Sequence, residues 1–283
     1  MKRCAMEVLI IFFLVAVIVF PSTVFAEEIG KKTPICTNSA KKANPEIFGD
    51  TVVWSDDRNG EFNIYEYNLV TKIEKKLSTR LSSQIFPAIY EDKIVWQDNR
   101  NGNWDIYMYD LSSATETPIC IGSKDQTNPA IYEDKIVWQD NRNGNWDIYM
   151  YDLSTNTEKP ICTHPAAQIN PSIYKDKIVW QDNRNGEANW DIYMYDLSTG
   201  IETPVCTNTA GQNSPRIYAD KIIWLDNRHG KWNIYMYNIS TQIESPVFTE
   251  FLDQRNPAIY DNKIVWIDNS NSGNDGVYMY TLE

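Results

Sequence analysis

The sequence predicts an all-β protein: a closed six-bladed β-propeller with four-stranded blades, its N-terminal strand completing the last blade. Three observations predict it. Trp54, Trp96, Trp138, Trp180, Trp224 and Trp266 recur at steps of 42, 42, 42, 44 and 42 residues, the size of a four-stranded blade. The middle segments of each repeat are apolar on both alternations, which suits strands covered on both faces better than strands of an open sandwich. The last repeat stops after its third strand, at 278–283, while Thr33-Pro34-Ile35-Cys36-Thr37 reads as an orphan fourth strand matching Thr117-Pro118-Ile119-Cys120 and Thr203-Pro204-Val205-Cys206. Pairing the two ends would lock the ring and remove its open edges. A rod-like solenoid is the structural alternative, but its turns are usually much shorter than this repeat.

The elements follow in chain order. Residues 1–26 read as a secretory signal: Lys2 and Arg3, an apolar run over 8–20, Pro21, and Val24-Phe25-Ala26 before Glu27-Glu28. The run is short for a membrane span, and an uncleaved anchor is the alternative. Residues 27–32 form a short linker and 33–283 the propeller. The clearest repeat runs from Pro129 to Ser154, and 87–112 repeats it without a change. Its first strand, 129–132, opens with Pro, which suits a strand start or an edge. Glu133-Asp134 makes a tight turn. A second strand over 135–140 leads to the hairpin loop Asn141-Arg142-Asn143-Gly144. A Tyr-dense third strand covers 146–153, a polar turn follows at 154–156, and a fourth strand covers 157–163. Nothing in the unit has helical periodicity. Glu187-Ala188 is a two-residue insertion that accounts for the single 44-residue step.

Composition narrows the function. The chain has 283 residues, 42% hydrophobic and 13% aromatic, which excludes a disordered or collagen-like chain. A formal charge of −12 argues against a nucleic-acid partner, because phosphates need clustered Lys and Arg. No second apolar run of membrane length follows the signal, so no span is expected after cleavage. Only two His are present, His164 and His229, which disfavours His-rich metal sites.

Cys36, Cys120, Cys162 and Cys206 occupy equivalent places, where Ser78 and Phe248 stand in the other repeats. One Cys per blade separates neighbours by a blade rotation, too far for a disulfide. Buried thiols are the expectation. The loop Asp140-Asn141-Arg142-Asn143-Gly144 recurs with Arg100, Arg184 and Arg228 at the Arg142 position. It has oxygen donors for a calcium ion, but Arg142 stands where a ligand belongs and the closing Glu is missing. A likeness to the structural Asp turns of sialidase propellers is a second reading. The plainer one has Asp140 bonding the hairpin backbone while Arg142 pairs with Asp147 or a neighbouring blade. Gln84, Gln126, Gln168, Gln212 and Gln254 each lie twelve residues before their Trp, in the blade-linking loops, and Lys42 replaces them in the first unit. These Gln and Arg residues are the candidate ligand-binding set at the channel mouth; tying the linker backbone is the alternative for the Gln. Asn238-Ile239-Ser240 is a glycosylation sequon. No catalytic or metal-binding residue is assigned and no cofactor is expected, because nearly every polar residue repeats by blade and chemistry needs a set placed once.

The run Lys-Ile-Val-Trp-Gln-Asp-Asn-Arg-Asn-Gly-Asn-Trp-Asp-Ile-Tyr-Met-Tyr-Asp-Leu resembles the propeller repeat of methanogen (Methanosarcina-type) cell-surface proteins, and more distantly TolB-type repeats. The resemblance covers 33–283 and implies an exported or surface propeller without fixing an activity. The resemblance does not extend to the extra N-terminal domain of TolB, so a Tol-system role is not expected. The expected function is a non-catalytic binding or scaffold module, extracellular or at the cell surface, with envelope proteins or surface glycans as partners. The alternative is an extracellular carbohydrate-active enzyme, a lyase or sialidase-like hydrolase, which would show an unrepeated carboxylate or His cluster at the channel mouth. The sequence specifies no oligomeric state.

Overall fold

Trp, Tyr and β-branched residues on both alternations, cut by Asn-, Asp- and Gly-rich turns, leave strands as the only economical way to satisfy the backbone. The computed structural model describes residues 34–78, 81–186, 189–248, 253–271 and 274–282; the signal 1–26, the linker 27–32, Thr33 and the insertion Glu187-Ala188 lie outside them. Among the described residues every regular element is a strand. Blade 1 holds β1 (Lys42–Phe48), β2 (Thr51–Asp56), β3 (Asn63–Asn68) and β4 (Glu74–Lys76). Blade 2 holds β5 (Gln84–Tyr90), β6 (Lys93–Asp98), β7 (Asp105–Asp110) and β8 (Thr115–Cys120). Blade 3 holds β9 (Gln126–Tyr132), β10 (Lys135–Asp140), β11 (Asp147–Asp152) and β12 (Thr157–Cys162). Blade 4 holds β13 (Gln168–Tyr174), β14 (Lys177–Asp182), β15 (Asp191–Asp196) and β16 (Ile201–Cys206). Blade 5 holds β17 (Gln212–Tyr218), β18 (Lys221–Asp226), β19 (Asn233–Asn238) and β20 (Ile243–Phe248). Blade 6 holds β21 (Arg255–Tyr260), β22 (Lys263–Asn271) and β23 (Asn274–Thr281). Each sheet is an antiparallel meander, four-stranded in blades 1 to 5 and three-stranded in blade 6. The architecture is a six-bladed β-propeller.

The first strands touch from blade to blade, β1 on β5 through to β17 on β21, so they are innermost and line the axis. In β9 the strand starts at Gln126, ahead of the expected 129, because a bulge lies inside it. The pairing Val137 with Ala130 shifts to Gln139 with Thr127, and Asn128 sits at φ 52°. The extra residue absorbs the Pro129 that a regular ladder would reject.

Blade packing follows from the doubly apolar middle strands. Ile136, Trp138 and Tyr149 join a cluster with Val95, Ile106 and Met108 of blade 2. Val137, Ile148 and Met150 join one with Ile173, Ile178 and Trp180 of blade 4. Trp96, Trp138, Trp180 and Trp224 are fully buried. Cys120, Cys162 and Cys206 are buried thiols within these clusters, not disulfides.

The expected closure differs. Residues 34–37 are irregular and join no sheet, and the sheet of blade 6 ends at β23. Five apolar clusters join successive blades, and none among the described residues joins blade 6 to blade 1. Val277 and Met279 on β23 are 78% and 60% exposed, whereas their counterparts Ile148 and Met150 are 0% and 2% exposed. The physical reason is that a sheet without a fourth strand and without a facing blade leaves those side chains to solvent.

Candidate functional site

The repeated polar residues are used inside the blades. In blade 3 the Asp140 carboxylate is fully buried. Its Oδ2 accepts from the Trp138 indole at 2.9 Å and from Arg142 at 2.6 Å, and its Oδ1 accepts from the Arg142 backbone at 2.9 Å. The other end of Arg142 reaches Glu158 on β12 at 2.5 Å, and its guanidinium lies 4.1 Å over the Tyr149 ring. It also touches Cys120 Sγ of blade 2 at 3.2 Å. Arg184 and Arg228 repeat this set with Glu202 and Glu244, and Arg100 pairs with Asp98 and Glu116. Sequence reasoning paired Arg142 with Asp147 or a neighbouring blade; the contact with Cys120 of blade 2 fits the second reading, and Asp147 is not its partner. The structure pairs Asp147 with Asn143 and Asn145 at 2.7 and 2.8 Å, because Asp147 starts β11 beneath the hairpin while the longer Arg crosses to β12. The Arg–Glu spacing of sixteen residues was the signal that reading passed over.

Gln84, Gln126, Gln168, Gln212 and Gln254 are all buried, at 0–1% exposure. Gln84, Gln126 and Gln168 each donate to a linker carbonyl two residues upstream at 2.6 Å, and Gln212 donates to the Ala210 carbonyl. Gln254 instead accepts from the Ile234 backbone at 2.7 Å. The structure therefore places these amides under the linkers rather than on an open channel face. A second Gln series links blades. Gln97, Gln139 and Gln181 accept from the bulge backbone of the following blade, at Asn128, Asn170 and Ser214, over 2.8 to 3.0 Å. Asn238 sits in its turn, accepting from Thr241 at 2.8 Å and donating to Asp220 at 2.9 Å. His164 and His229 are exposed loop residues.

Burial pushes the Cys162 and Cys206 thiols up to about 12; such thiols stay protonated and unreactive near neutral pH. Burial also raises the Asp147 and Asp191 carboxyls, against the amide bonds that Asn143, Asn145 and Asn185 supply.

The innermost strands build three tiers around the axis. The bulge tier is Asn44, Phe86, Asn128, Asn170, Ser214 and Asn256, all at positive φ between 50° and 55°. Asn128 donates to Asn170 at 2.8 Å across the blade boundary. The next tier is Glu46, Ala88, Ala130, Ser172, Arg216 and Ala258. The last is an aromatic collar, Phe48, Tyr90, Tyr132, Tyr174, Tyr218 and Tyr260, with successive centroids 4.7 to 5.0 Å apart and rings tilted near 50°.

Two of these tiers break the repeat. Glu46 and Arg216 are the charged residues in a tier otherwise Ala or Ser, and Phe86 stands in a tier otherwise Asn or Ser. Glu46 is exposed and Arg216 half-buried, and among the described residues no hydrogen bond or ion pair joins the two. The protein around it raises the Glu46 carboxyl, with the Arg216 charge opposing. It lowers the Arg216 guanidinium, with Glu46 opposing. Sequence reasoning missed this pair because it aligned the repeats for what they share. The signal was available as the residue after each Pro of the first strand.

Solved structures share the fold. TolB from Acinetobacter baumannii matches with a TM-score of 0.58 at 14% identity, over 74% of this chain and 55% of that one. A putative TolB from Agrobacterium tumefaciens gives 0.60 at 13% identity, over 77% and 84%. The Pyrococcus horikoshii acylaminoacyl peptidase gives 0.66 at 12% identity, over 84% of this chain and 43% of that one. The chain thus spans about half of the first TolB and less than half of the peptidase. No family model and no curated protein matches the sequence. At these identities the likeness is one of fold alone: a β-propeller.

Proposed function

We propose that the protein is an exported, non-catalytic propeller that serves as a binding or scaffold module at the cell surface, with envelope proteins or surface glycans as its partners. One observation carries this reading. The polar groups repeated from blade to blade hold the blades together. The residues that break the repeat in the innermost strands, Glu46, Phe86 and Arg216, comprise one acid, one base and one aromatic ring, which suits recognition. A nucleophile with its base, or a pair of carboxylates astride a glycosidic bond, is the equipment hydrolysis needs.

Export rests on residues 1–26 and the surface address on the methanogen-type repeat. No helix among the described residues is long and apolar enough to cross a membrane. The segment 33–37 keeps its reading as the closing strand, supported by its match to the fourth strands and by the place beside β23 that a fourth strand fills in blades 1 to 5. The test combines N-terminal sequencing of the chain secreted by an expression host with a glycan array and surface cross-linking of the purified product. Cleavage after Ala26 and retention of a surface glycan or envelope protein are expected. Turnover of a polysaccharide that disappears in Glu46→Gln would overturn the non-catalytic reading in favour of the carbohydrate-active enzyme.

A further inference from the structure

The linker between β8 and β9 departs from the repeat at two consecutive residues. Thr stands at the Ile121 place in every other repeat (Thr37, Thr79, Thr163, Thr207 and Thr249), and the Gly122 place is held by Asn38, Arg80, His164, Asn208 and Glu250. Ile121 is 56% exposed. Gly122 does not have a positive φ, so its backbone conformation does not require a glycine. It permits a close approach instead. Its N–H donates to Asp105 at 3.1 Å, and a Cβ there would lie 2.8 Å from Gln126 Nε2 and 3.2 Å from Gln126 Oε1. Ile121 and Gly122 both line a cleft of about 500 Å³ at the boundary of blades 2 and 3, together with Ile119, Gln126, Arg142 and Glu158. Gln126 is fully buried, and its Oε1 has no donor among the described residues. At the preceding boundary the equivalent Gln84 Oε1 accepts from Ser78 and, at 2.8 Å, from Asn63. Cys120 and Asp105 stand in those two places before Gln126, so the hydroxyl and amide donors are gone. Gln168 and Gln212 share the orphaned acceptor; only at Gln126 does the linker set an exposed apolar side chain beside it. A buried acceptor without a donor costs free energy that a ligand N–H would recover.

Resting on the reading of the propeller as a module for surface glycans, we infer that this cleft is a site for an N-acetylated amino sugar. Gln126 receives the acetamido N–H, Ile119 and Ile121 carry the acetyl methyl, and Arg142 and Glu158 meet the ring hydroxyls. The choice follows from the chemistry of the walls. Arg142 is already paired with Asp140 and Glu158, so an ionic ligand finds no spare opposite charge. Arg142 and Glu158 are both partly exposed, and a guanidinium and a carboxylate keep further donor and acceptor positions for neutral hydroxyls. A plain hexose brings hydroxyls but nothing apolar for Ile121. A peptide amide brings an N–H and an apolar group but no hydroxyls for the ion pair. The acetamido sugar brings all three, and the cleft has the volume of an ordinary small-ligand site.

Isothermal titration of the purified chain with N-acetylglucosamine and N-acetylgalactosamine is the direct test, run beside glucose, glucosamine and N-acetylglycinamide. At least one of the two acetamido sugars is expected to bind. Glucose, glucosamine and N-acetylglycinamide should each bind at least about tenfold more weakly than that sugar. Gly122→Ala, which drives a methyl group into the Gln126 amide, should weaken the sugar by a similar factor with unchanged circular dichroism. Ile121→Thr, which installs the residue of the other repeats at an exposed position, should weaken it as well and serves if Gly122→Ala misfolds. The inference is overturned if neither acetamido sugar binds at about 10 mM, if glucose or glucosamine binds as tightly, or if both variants keep wild-type affinity. Equal binding of N-acetylglycinamide overturns it in favour of a peptide segment. Failure here with another glycan or an envelope protein still retained removes only this cleft, whereas polysaccharide turnover that disappears in Glu46→Gln removes the proposed function instead.

Discussion

Arg142 spans two acids and an aromatic face, and that geometry makes it a clamp between the hairpin and β12. Removing it leaves the buried Asp140 carboxylate with the Trp138 indole and one backbone donor. Arg142→Ala should destabilise the protein by about 2 kcal/mol in urea unfolding, a value held down because Arg142 is one-third exposed. Arg142→Lys should recover little, since an ammonium cannot serve Asp140, Glu158 and the Tyr149 ring together. Asp191 shows the opposite behaviour. Its Oδ1 and the Oε1 of Gln212 are both buried and lack a donor. In blade 1 the equivalent Asn63 donates to Gln84 at 2.8 Å. A proton on Asp191 would supply the same bond. Because burial raises the folded carboxyl above its unfolded value, the unfolded chain ionises first, and stability falls as pH rises through the unfolded value toward the folded one. Asp191→Asn should therefore raise the melting temperature at pH 7, and the gain should shrink as pH approaches 4. A gain of equal size at both pH values would sink this account.

A single blade succeeds because its middle strands serve two neighbours at once. Trp138 is the largest side chain common to that arrangement, fully buried between blades 2 and 3, and it also donates to Asp140. Trp138→Ala should cost about 3–5 kcal/mol, read as a lowered denaturant midpoint, since it empties the interface and orphans an acceptor. The bulge in the innermost strand invites a test of opposite sign. Phe86→Asn restores the residue used in four other blades and one that tolerates positive φ. It should raise stability by about 1 kcal/mol in the same assay.

At the scale of the molecule, five blade boundaries are sealed by apolar clusters while the faces of blades 1 and 6 carry exposed counterparts of the same residues. Ile47 is 60% exposed where Ile131 is 8%. If 33–37 closes blade 6 as proposed, hydrogen exchange followed by mass spectrometry should show β23 protected as well as β11 and β15. Faster exchange of β23 would mean that its edge is free and would sink the closing-strand reading.

The sequence alone determined the strand order, the blade number and the doubly buried middle strands, because these follow from local alternation and turn chemistry repeated with a fixed period. The strand Lys135–Asp140 was legible to the residue, since Glu133-Asp134 and Asn141–Gly144 bound it on both sides. The bulge at Asn128 was not, because a bulge is defined only by the register of the partner strand. Only the tertiary structure decided which polar residues face inward. Gln126 and Gln139 differ little as sequence, yet one binds its own linker and the other the next blade. Glu46 and Arg216 come within reach of each other's charge only because successive blades turn about a common axis. That relation depends on distances through space between far-separated repeats, and no pattern along the chain encodes it directly.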